Sequence, residues 1–295
     1  MLTFVNKGRN MRICVIGGAN VDITATSAHA FQIGDSNPGS VEVSWGGVGR
    51  NIAQNLALLG DEVELVTIFG GGLFGPVIAA ACKELGICID HSEIAQEGTN
   101  SFFVSINNAD GELVGGVADM NATEGMTPEW LSERMDAINQ ADVIVADANS
   151  SAEALAFLID HCEKPLYLDA VSVAKAVRIR EAVSLSAKKA FFALKSNALE
   201  HQELSALPEA HIRRTYVSVG AEGLRVMEGG KEYAFPALPC IVRNVTGGGD
   251  ALLAGIVHAG PEASVEETAR WGLACARCAV ESPDAVSNEI KNVRL

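Results

Sequence analysis

The chain has 295 residues, of which 48% are hydrophobic and 20% charged, a balance that builds a large core and suits one large α/β domain or two smaller ones. Its 22 Lys and Arg against 37 Asp and Glu leave a formal charge of −15, which argues against a nucleic-acid backbone or an anionic membrane as the main partner but not against a nucleotide held by local N–H groups and one lysine. No apolar run reaches the ~18 residues of a membrane span, no secretory signal opens the chain, and the seven cysteines, an odd number mostly in apolar surroundings, fit a reducing cytoplasm.

Residues 1–10 read as a frayed leader or an upstream start. Residues 12–16 form a continuous apolar run ending in Gly17-Gly18, the pattern of a buried parallel strand. Asn20 and Asp22 follow at its carboxyl end and alternate on one face, as sugar-binding groups or as a plain polar strand end. Residues 23–44 alternate weakly around the turn Ser36-Asn37-Pro38-Gly39 and suggest a small antiparallel flap. Gly46-Gly47-Val48-Gly49-Arg50-Asn51 then opens a helix that stops at Gly60, bringing backbone N–H groups and Asn51 near a ligand.

A strand over 63–69 leads into Gly70-Gly71-Gly72-Leu73-Phe74-Gly75, a helix to Leu85, a strand over 87–89 and Asp90. This matches the G-x-G-x-x-G dinucleotide fingerprint with its later acid, and equally a glycine turn that lets a helix pack closely on a strand. Residues 101–106 and 112–117 alternate around a hairpin turn and complete the flap, from which Asp119 and Asn121 emerge toward the presumed cleft. Beyond it a helix over 128–138, a strand over 143–146, a helix over 152–162 and strands over 166–168 and 190–194 place Asp147, Asn149 and Asp169 at strand ends. Lys195-Ser196-Asn197-Ala198-Leu199-Glu200 opens another helix, strands over 216–219 and 224–227 flank Gly220 and Gly223, and helices over 250–259 and 264–280 close the chain. This alternation predicts a mostly parallel sheet with helices on both faces. Cys275 and Cys278 lack the second ligand pair that a zinc site needs, and no P-loop sequence is present.

One stretch carries the most chemistry: Asn244-Val245-Thr246-Gly247-Gly248-Gly249-Asp250, running into an apolar helix. Three glycines at a helix N-terminus point N–H groups one way and favour an anion. An aspartate beside that hole can take a proton from an alcohol, so the pair suits phosphoryl transfer; a glycine-rich helix cap is the plain alternative.

This stretch and Gly46-Gly47-Val48-Gly49-Arg50-Asn51, about two hundred residues earlier, resemble the paired signatures of the ribokinase-like (PfkB-type) carbohydrate and nucleoside kinases. The resemblance extends over nearly the whole chain from Met11, through Asp35-Ser36-Asn37-Pro38-Gly39, Ala118-Asp119-Met120-Asn121, Val143-Ile144-Val145-Ala146-Asp147 and Leu194-Lys195-Ser196-Asn197 with Glu200. It implies a three-layer α/β/α domain over 11–295, with a mostly parallel sheet and a β-lid from about 23–44 and 99–121. The implied activity is ATP- and Mg²⁺-dependent phosphorylation of a 5′-hydroxyl. Asp169-Ala170-Val171-Ser172-Val173-Ala174-Lys175 points to pseudouridine as the acceptor, with another nucleoside or a ribose-like sugar as the alternative. A dinucleotide-binding oxidoreductase and a non-catalytic ligand-binding relative are the rivals from other classes.

By the same resemblance Asp250 would be the base and Gly247, Gly248 and Gly249 the anion hole. Asn20, Asp22, Gly46, Gly47 and Asn51 would hold the ribose, with Asp147 at the same site, and the lid residues Ser36, Asn37, Asp119 and Asn121 would read the base. Lys195, Asn197, Ser218, Gly220, Gly223 and Asn288 would line ATP, and Asn197 and Glu200 would organise Mg²⁺ through water. The chain also departs from the family. Gly70-Gly71-Gly72-Leu73 lacks a common acid, and Ser196 replaces a usual proline. Asn244 stands where many members carry an aspartate that helps bind a monovalent cation, so potassium activation does not carry over. The 203–216 stretch is short, as if a helix were missing, which would leave one sheet face bare or covered by a second copy in a homodimer.

Overall fold

The computed structural model describes residues 10–96, 98 and 100–295; the leader at 1–9 and Thr99 of the expected lid segment lie outside them. In chain order the elements are β1 Arg12–Ile16, β2 Asn20–Ser27, β3 Gly39–Gly46, α1 Val48–Leu59, β4 Glu62–Val66, β5 Ile68–Phe69, α2 Phe74–Glu84, β6 Glu93–Ile94, β7 Phe102–Asn107 and β8 Leu113–Asp119. The short helices α3 Asn121–Glu124, α4 Pro128–Ser132 and α5 Met135–Ile138 follow, then β9 Val143–Asp147, α6 Ala152–His161, β10 Leu166–Asp169, α7 Val173–Leu185, β11 Phe191–Asn197 and α8 Ala198–Leu204. The last elements are β12 Ile212–Ser218, β13 Leu224–Glu228, β14 Lys231–Phe235, α9 Gly248–Ala259 and α10 Val265–Val280.

Eight strands form one sheet in the order β14-β13-β12-β11-β10-β9-β1-β4. The pairs from β4 to β12 are parallel, and β13 and β14 close one edge antiparallel. The apolar runs of β1, β9 and β10 are buried on both faces, as central parallel strands require. Ile13, Val15 and Tyr167 pack under α1, α2 and α9 on one face. Ile16, Ile144 and Leu168 pack with α4, α6, α7 and α8 on the other. Each fully buried aliphatic side chain there stabilises the fold by about 1.5–3 kcal/mol. A second sheet, β3-β2-β7-β8, stands over the carboxyl edge of the first as the expected lid.

Several local expectations are corrected. Asn20 and Asp22 lie on the first lid strand rather than at the end of β1. The strand over 63–69 breaks at Thr67, and the expected strand over 87–89 is only a single bridge between Cys88 and Glu64. The helix over 128–138 is two short helices, interrupted at Glu133 and Arg134. Neither α7 nor β14 was expected; the buried face of α7 is Ala176, Ile179, Ala182 and Val183, whose two alanines dilute its apolar signal.

The glycine-turn reading of 70–75 accounts for the structure there. A Cβ on Gly75 would lie 1.7 Å from the Gly70 carbonyl oxygen, so that glycine permits close packing of turn on helix. After α2 the chain bridges the edge strand β4 in parallel only at Cys88, and β6 beyond it pairs only with β5, outside the main sheet. Cys275 and Cys278 sit on α10, and among the described residues no group of three His, Cys, Asp or Glu side chains is placed to hold a metal ion.

Only a single turn, Glu209–His211, links α8 to β12. The face over β11, β12 and β13 accordingly carries an open groove of about 600 Å³ lined by Leu194, Leu204, Leu207, Ile212 and Met227. No described helix is long and apolar enough to cross a membrane.

Candidate active site

The carboxyl ends of β1, β9, β10 and β11 meet the N-termini of α1 and α9 beneath the lid. Gly47, the N-cap of α1, has φ 97°, and a Cβ there would lie 2.3 Å from the Gly18 carbonyl oxygen, so only glycine lets α1 start this close to β1. Asp147 locks this contact: its Oδ2 accepts the N–H groups of Gly18 at 2.9 Å and Gly49 at 2.8 Å, and its Oδ1 that of Asn149 at 2.9 Å. Asp147 is therefore a buried clasp behind the site, with nearly all its capacity used by the backbone, rather than the expected ribose ligand.

Gly247 caps α9 with φ 78°, and a Cβ there would lie 1.9 Å from the Ala285 carbonyl oxygen, which brings the 281–288 segment against the turn. No side chain caps this 12-residue helix. The Gly248 N–H leans on the Val245 carbonyl at 3.4 Å, and the remaining first-turn N–H groups are left for a ligand. A Cβ on Gly249 would lie 2.6 Å from Lys195 Nζ, so the missing side chain leaves a cradle with an ammonium over it. Lys195 is held there by Asp169, Nζ to Oδ2 at 3.0 Å. Burial works against its charge, but the carboxylates of Asp169, Asp250 and Glu200 outweigh it and raise its pKa.

Asp250 is buried in the first turn of α9. Asn51 Nδ2 donates to its Oδ2 at 2.9 Å, and Arg50 Nη1 donates to Asn51 Oδ1 at 3.0 Å, so a chain of donors orients the carboxylate. Burial first, and then repulsion from Asp169, push its pKa up to about 7, with Lys195 and Asn51 opposing. A carboxyl group poised near neutrality suits general-base work on an alcohol.

Across the mouth, Asn20 donates to Asp22, and a Cβ on Gly46 would overlap the Asp22 carboxylate. Burial raises the Asp22 pKa to about 6, against the Arg50 charge and the Asn20 bond. Asn197 and Glu200 form a closed capping box on α8: the Asn197 N–H and Nδ2 each donate to Glu200 at 2.7 Å, and Asn197 Oδ1 accepts the Leu199 and Glu200 N–H groups at 2.9 Å. Both Glu200 oxygens thus have protein donors, which fits a metal held through its waters better than a direct ligand.

The remaining expected residues are placed less directly. Ser218 ends β12 opposite Asn197, and Gly220 and Gly223 bound the turn into β13. Asn288 is exposed and opens the final turn, Asn288–Asn292, while Asn244 ties the glycine turn to the Pro283 carbonyl at 2.9 Å. Asn37 is consumed by its own loop, accepting from the Gln32 N–H and donating to the Gln32 and Asp35 carbonyls, and Ser36 beside it is exposed. Their expected contact with the base has no support in this geometry. Asp119 Oδ1 accepts the Asn121 N–H at 3.1 Å where β8 runs into α3, which puts both at the base of the lid. Sequence reasoning gave no role to Arg50 or Asn149, and took Asp169 and Lys175 only as the ends of the segment that points to pseudouridine; the strand-end positions of Asp169 and Asn149 were the available signal.

A model of the pfkB family of carbohydrate kinases matches residues 10–292. The chain is 33% identical over 261 residues to the pseudouridine kinase of Escherichia coli (strain K12), covering 83% of this chain and 82% of that protein. Among solved structures, a carbohydrate kinase from Agrobacterium tumefaciens is 30% identical with a TM-score of 0.81, covering 96% of each chain. Arabidopsis thaliana ribokinase complexed with ribose and ATP has a TM-score of 0.80 over 96% of this chain and 97% of that one; at 18% identity it shows the shared fold.

Proposed function

Because this chain belongs to the pfkB family of carbohydrate kinases, whose members are phosphotransferases, we propose that it carries the terminal phosphoryl group of ATP to the 5′-hydroxyl of pseudouridine, giving pseudouridine 5′-phosphate and ADP. The observation that carries the transfer is the buried Asp250, oriented by Asn51 beside an uncapped helix N-terminus with Lys195 above it. The choice of pseudouridine is supported by the 33% identity to a pseudouridine kinase. The ribose groups Asn20, Asp22 and Asn51 would serve another nucleoside or a ribose-like sugar equally, which is the second reading.

In this account Asp250 accepts the hydroxyl proton as the oxygen attacks in line. The free N–H groups at the start of α9 and the Lys195 ammonium face the transferring group, whose loose transition state is stabilised by position and charge. Mg²⁺ on the ATP phosphates would add positive charge there, with Glu200 and Asn197 ordering its waters. Asn20, Asp22, Gly46, Gly47 and Asn51 position the sugar, and Ser218, Gly220, Gly223 and Asn288 border the nucleotide side. Closure of the β2, β3, β7 and β8 sheet excludes water, which would otherwise take the phosphoryl group. A cytoplasmic location fits the seven unpaired cysteines. The test is product analysis after incubation with pseudouridine and Mg·ATP: phosphate on the 5′-oxygen is expected, whereas ATP hydrolysis alone, or phosphate elsewhere on the ribose, refutes the proposal.

A further inference from the structure

A second polar cluster at the carboxyl edge of the sheet is unused by the transfer step. Asn149, just beyond β9, is buried, and its side chain lies over Gly18: a Cβ there would meet Asn149 Nδ2 at 3.2 Å and the Thr123 methyl at 3.6 Å. Gly18 leads directly into Asn20 and Asp22, and Thr123 lies on α3 directly after lid strand β8. The Asn149 amide therefore stands where the sugar-binding strand meets the base of the lid. Its Oδ1 accepts a hydrogen bond from the Lys175 ammonium, and its Nδ2, beside the Asp147 carboxylate, keeps an N–H for a ligand.

The backbone at this place is strained. Val171, a β-branched residue, has φ 64°, and its N–H is tied to Asp169 Oδ1 at 2.8 Å. That turn sets the start of α7 and so places Lys175 in the helix's first turn. Asp169 thus anchors two cations at once, Lys195 directly and Lys175 through this turn. Asp147 ties this place to the start of α1: its Oδ2 accepts the Gly18 and Gly49 N–H groups and its Oδ1 the Asn149 N–H.

With the 5′-hydroxyl at Asp250 and the ribose on Asn20, Asp22 and Asn51, the end of a nucleoside farthest from the transfer is its base. We propose that Asn149 and Lys175 recognise that base, donating hydrogen bonds to the carbonyl oxygens of a pyrimidine-2,4-dione ring. This rests on the nucleoside reading above. The remaining Asn149 Nδ2 and Lys175 N–H groups are donors only, so they match ring carbonyls and oppose an exocyclic amino group. Cytidine would leave donors facing a donor, with both unpaired in a closed site.

The test compares kcat/KM for pseudouridine, uridine, cytidine and ribose, on the wild type and on Asn149→Asp, Lys175→Met and Lys175→Arg. The wild type should prefer uridine to cytidine by about tenfold or more. Asn149→Asp keeps the side-chain shape and exchanges the remaining donor for an acceptor, so it should narrow or reverse that ratio. Lys175→Met should lower the ratio of pseudouridine to ribose by about tenfold, and Lys175→Arg should recover part of it. A wild type that prefers pseudouridine over ribose, with both ratios unchanged in every variant, overturns this assignment alone. A wild type that prefers ribose to every nucleoside overturns the nucleoside reading and this assignment together.

Discussion

Asp250→Asn should produce an enzyme that is nearly inactive and more stable than the wild type. Loss of a general base lowers kcat by about 10²–10⁴-fold while leaving substrate binding nearly intact. The stability gain follows from what the carboxylate endures. Burial and the neighbouring Asp169 raise its pKa from an ordinary 3.8 to about 7. The folded value lies above the unfolded one, so the fold retains a proton that the unfolded chain releases between about pH 4 and pH 7, and stability falls as pH rises through that window. At about 1.4 kcal/mol per unit, ionising Asp250 costs the wild type up to about 4 kcal/mol at pH 8. Asparagine keeps an oxygen for Asn51 Nδ2 and carries no charge, so it removes that cost. Melting curves of both proteins from pH 5 to pH 8 should show the variant several degrees higher at pH 8, with the gap closing toward pH 5. A variant with near-wild-type turnover, or a gap independent of pH, would refute the reasoning.

Gly249→Ala should fold, because its Cβ meets only the far end of the Lys195 side chain and no backbone, yet it should raise KM for ATP by filling the anion cradle; an unchanged KM removes that cradle from the site. Gly247→Ala should instead destabilise the protein by about 1 kcal/mol or more, since it combines a positive φ with a backbone clash; an unchanged melting temperature contradicts this. Activity should depend strictly on a divalent cation, and Glu200→Gln, which keeps an acceptor for the Asn197 N–H, should raise the Mg²⁺ concentration needed; an unaltered titration counts against that role.

The architecture was legible because it rests on strong local signals. Short continuous apolar runs at 12–16 and 143–146, bounded by polar and glycine residues, read as buried strands. Gly47 and Gly247 announce helix starts at which a Cβ would clash with neighbouring backbone. Asn51 and Asp250 could be paired on paper only through a family resemblance, since 199 residues separate them and contact is a property of the folded sheet. Asp147 was misread because a carboxylate at a strand end looks the same whether it faces ligand or backbone; only the three N–H groups converging on it decide. Asn149 and Lys175 were each visible, as a strand-end residue and in the 169–175 segment, but not as a pair: their contact depends on the strained Val171 turn and on α7, whose alanine-diluted pattern did not declare a helix.

The central claim is tested most directly by kcat/KM for pseudouridine, uridine and ribose on one preparation with saturating Mg·ATP. Pseudouridine and uridine present the same ribose to Asn20, Asp22 and Asn51, so the difference must come from the additional ring N–H of the C-linked base. With Asn37 spent on its own loop and Ser36 exposed, Asp119 and Asn121 at the base of the lid are the remaining acceptors among the lid candidates. Leaving such an acceptor unpaired costs about 1–3 kcal/mol, so pseudouridine should exceed uridine by about ten- to hundredfold, with ribose below both. Equal values for the two nucleosides, or a preference for uridine or ribose, would contradict the account.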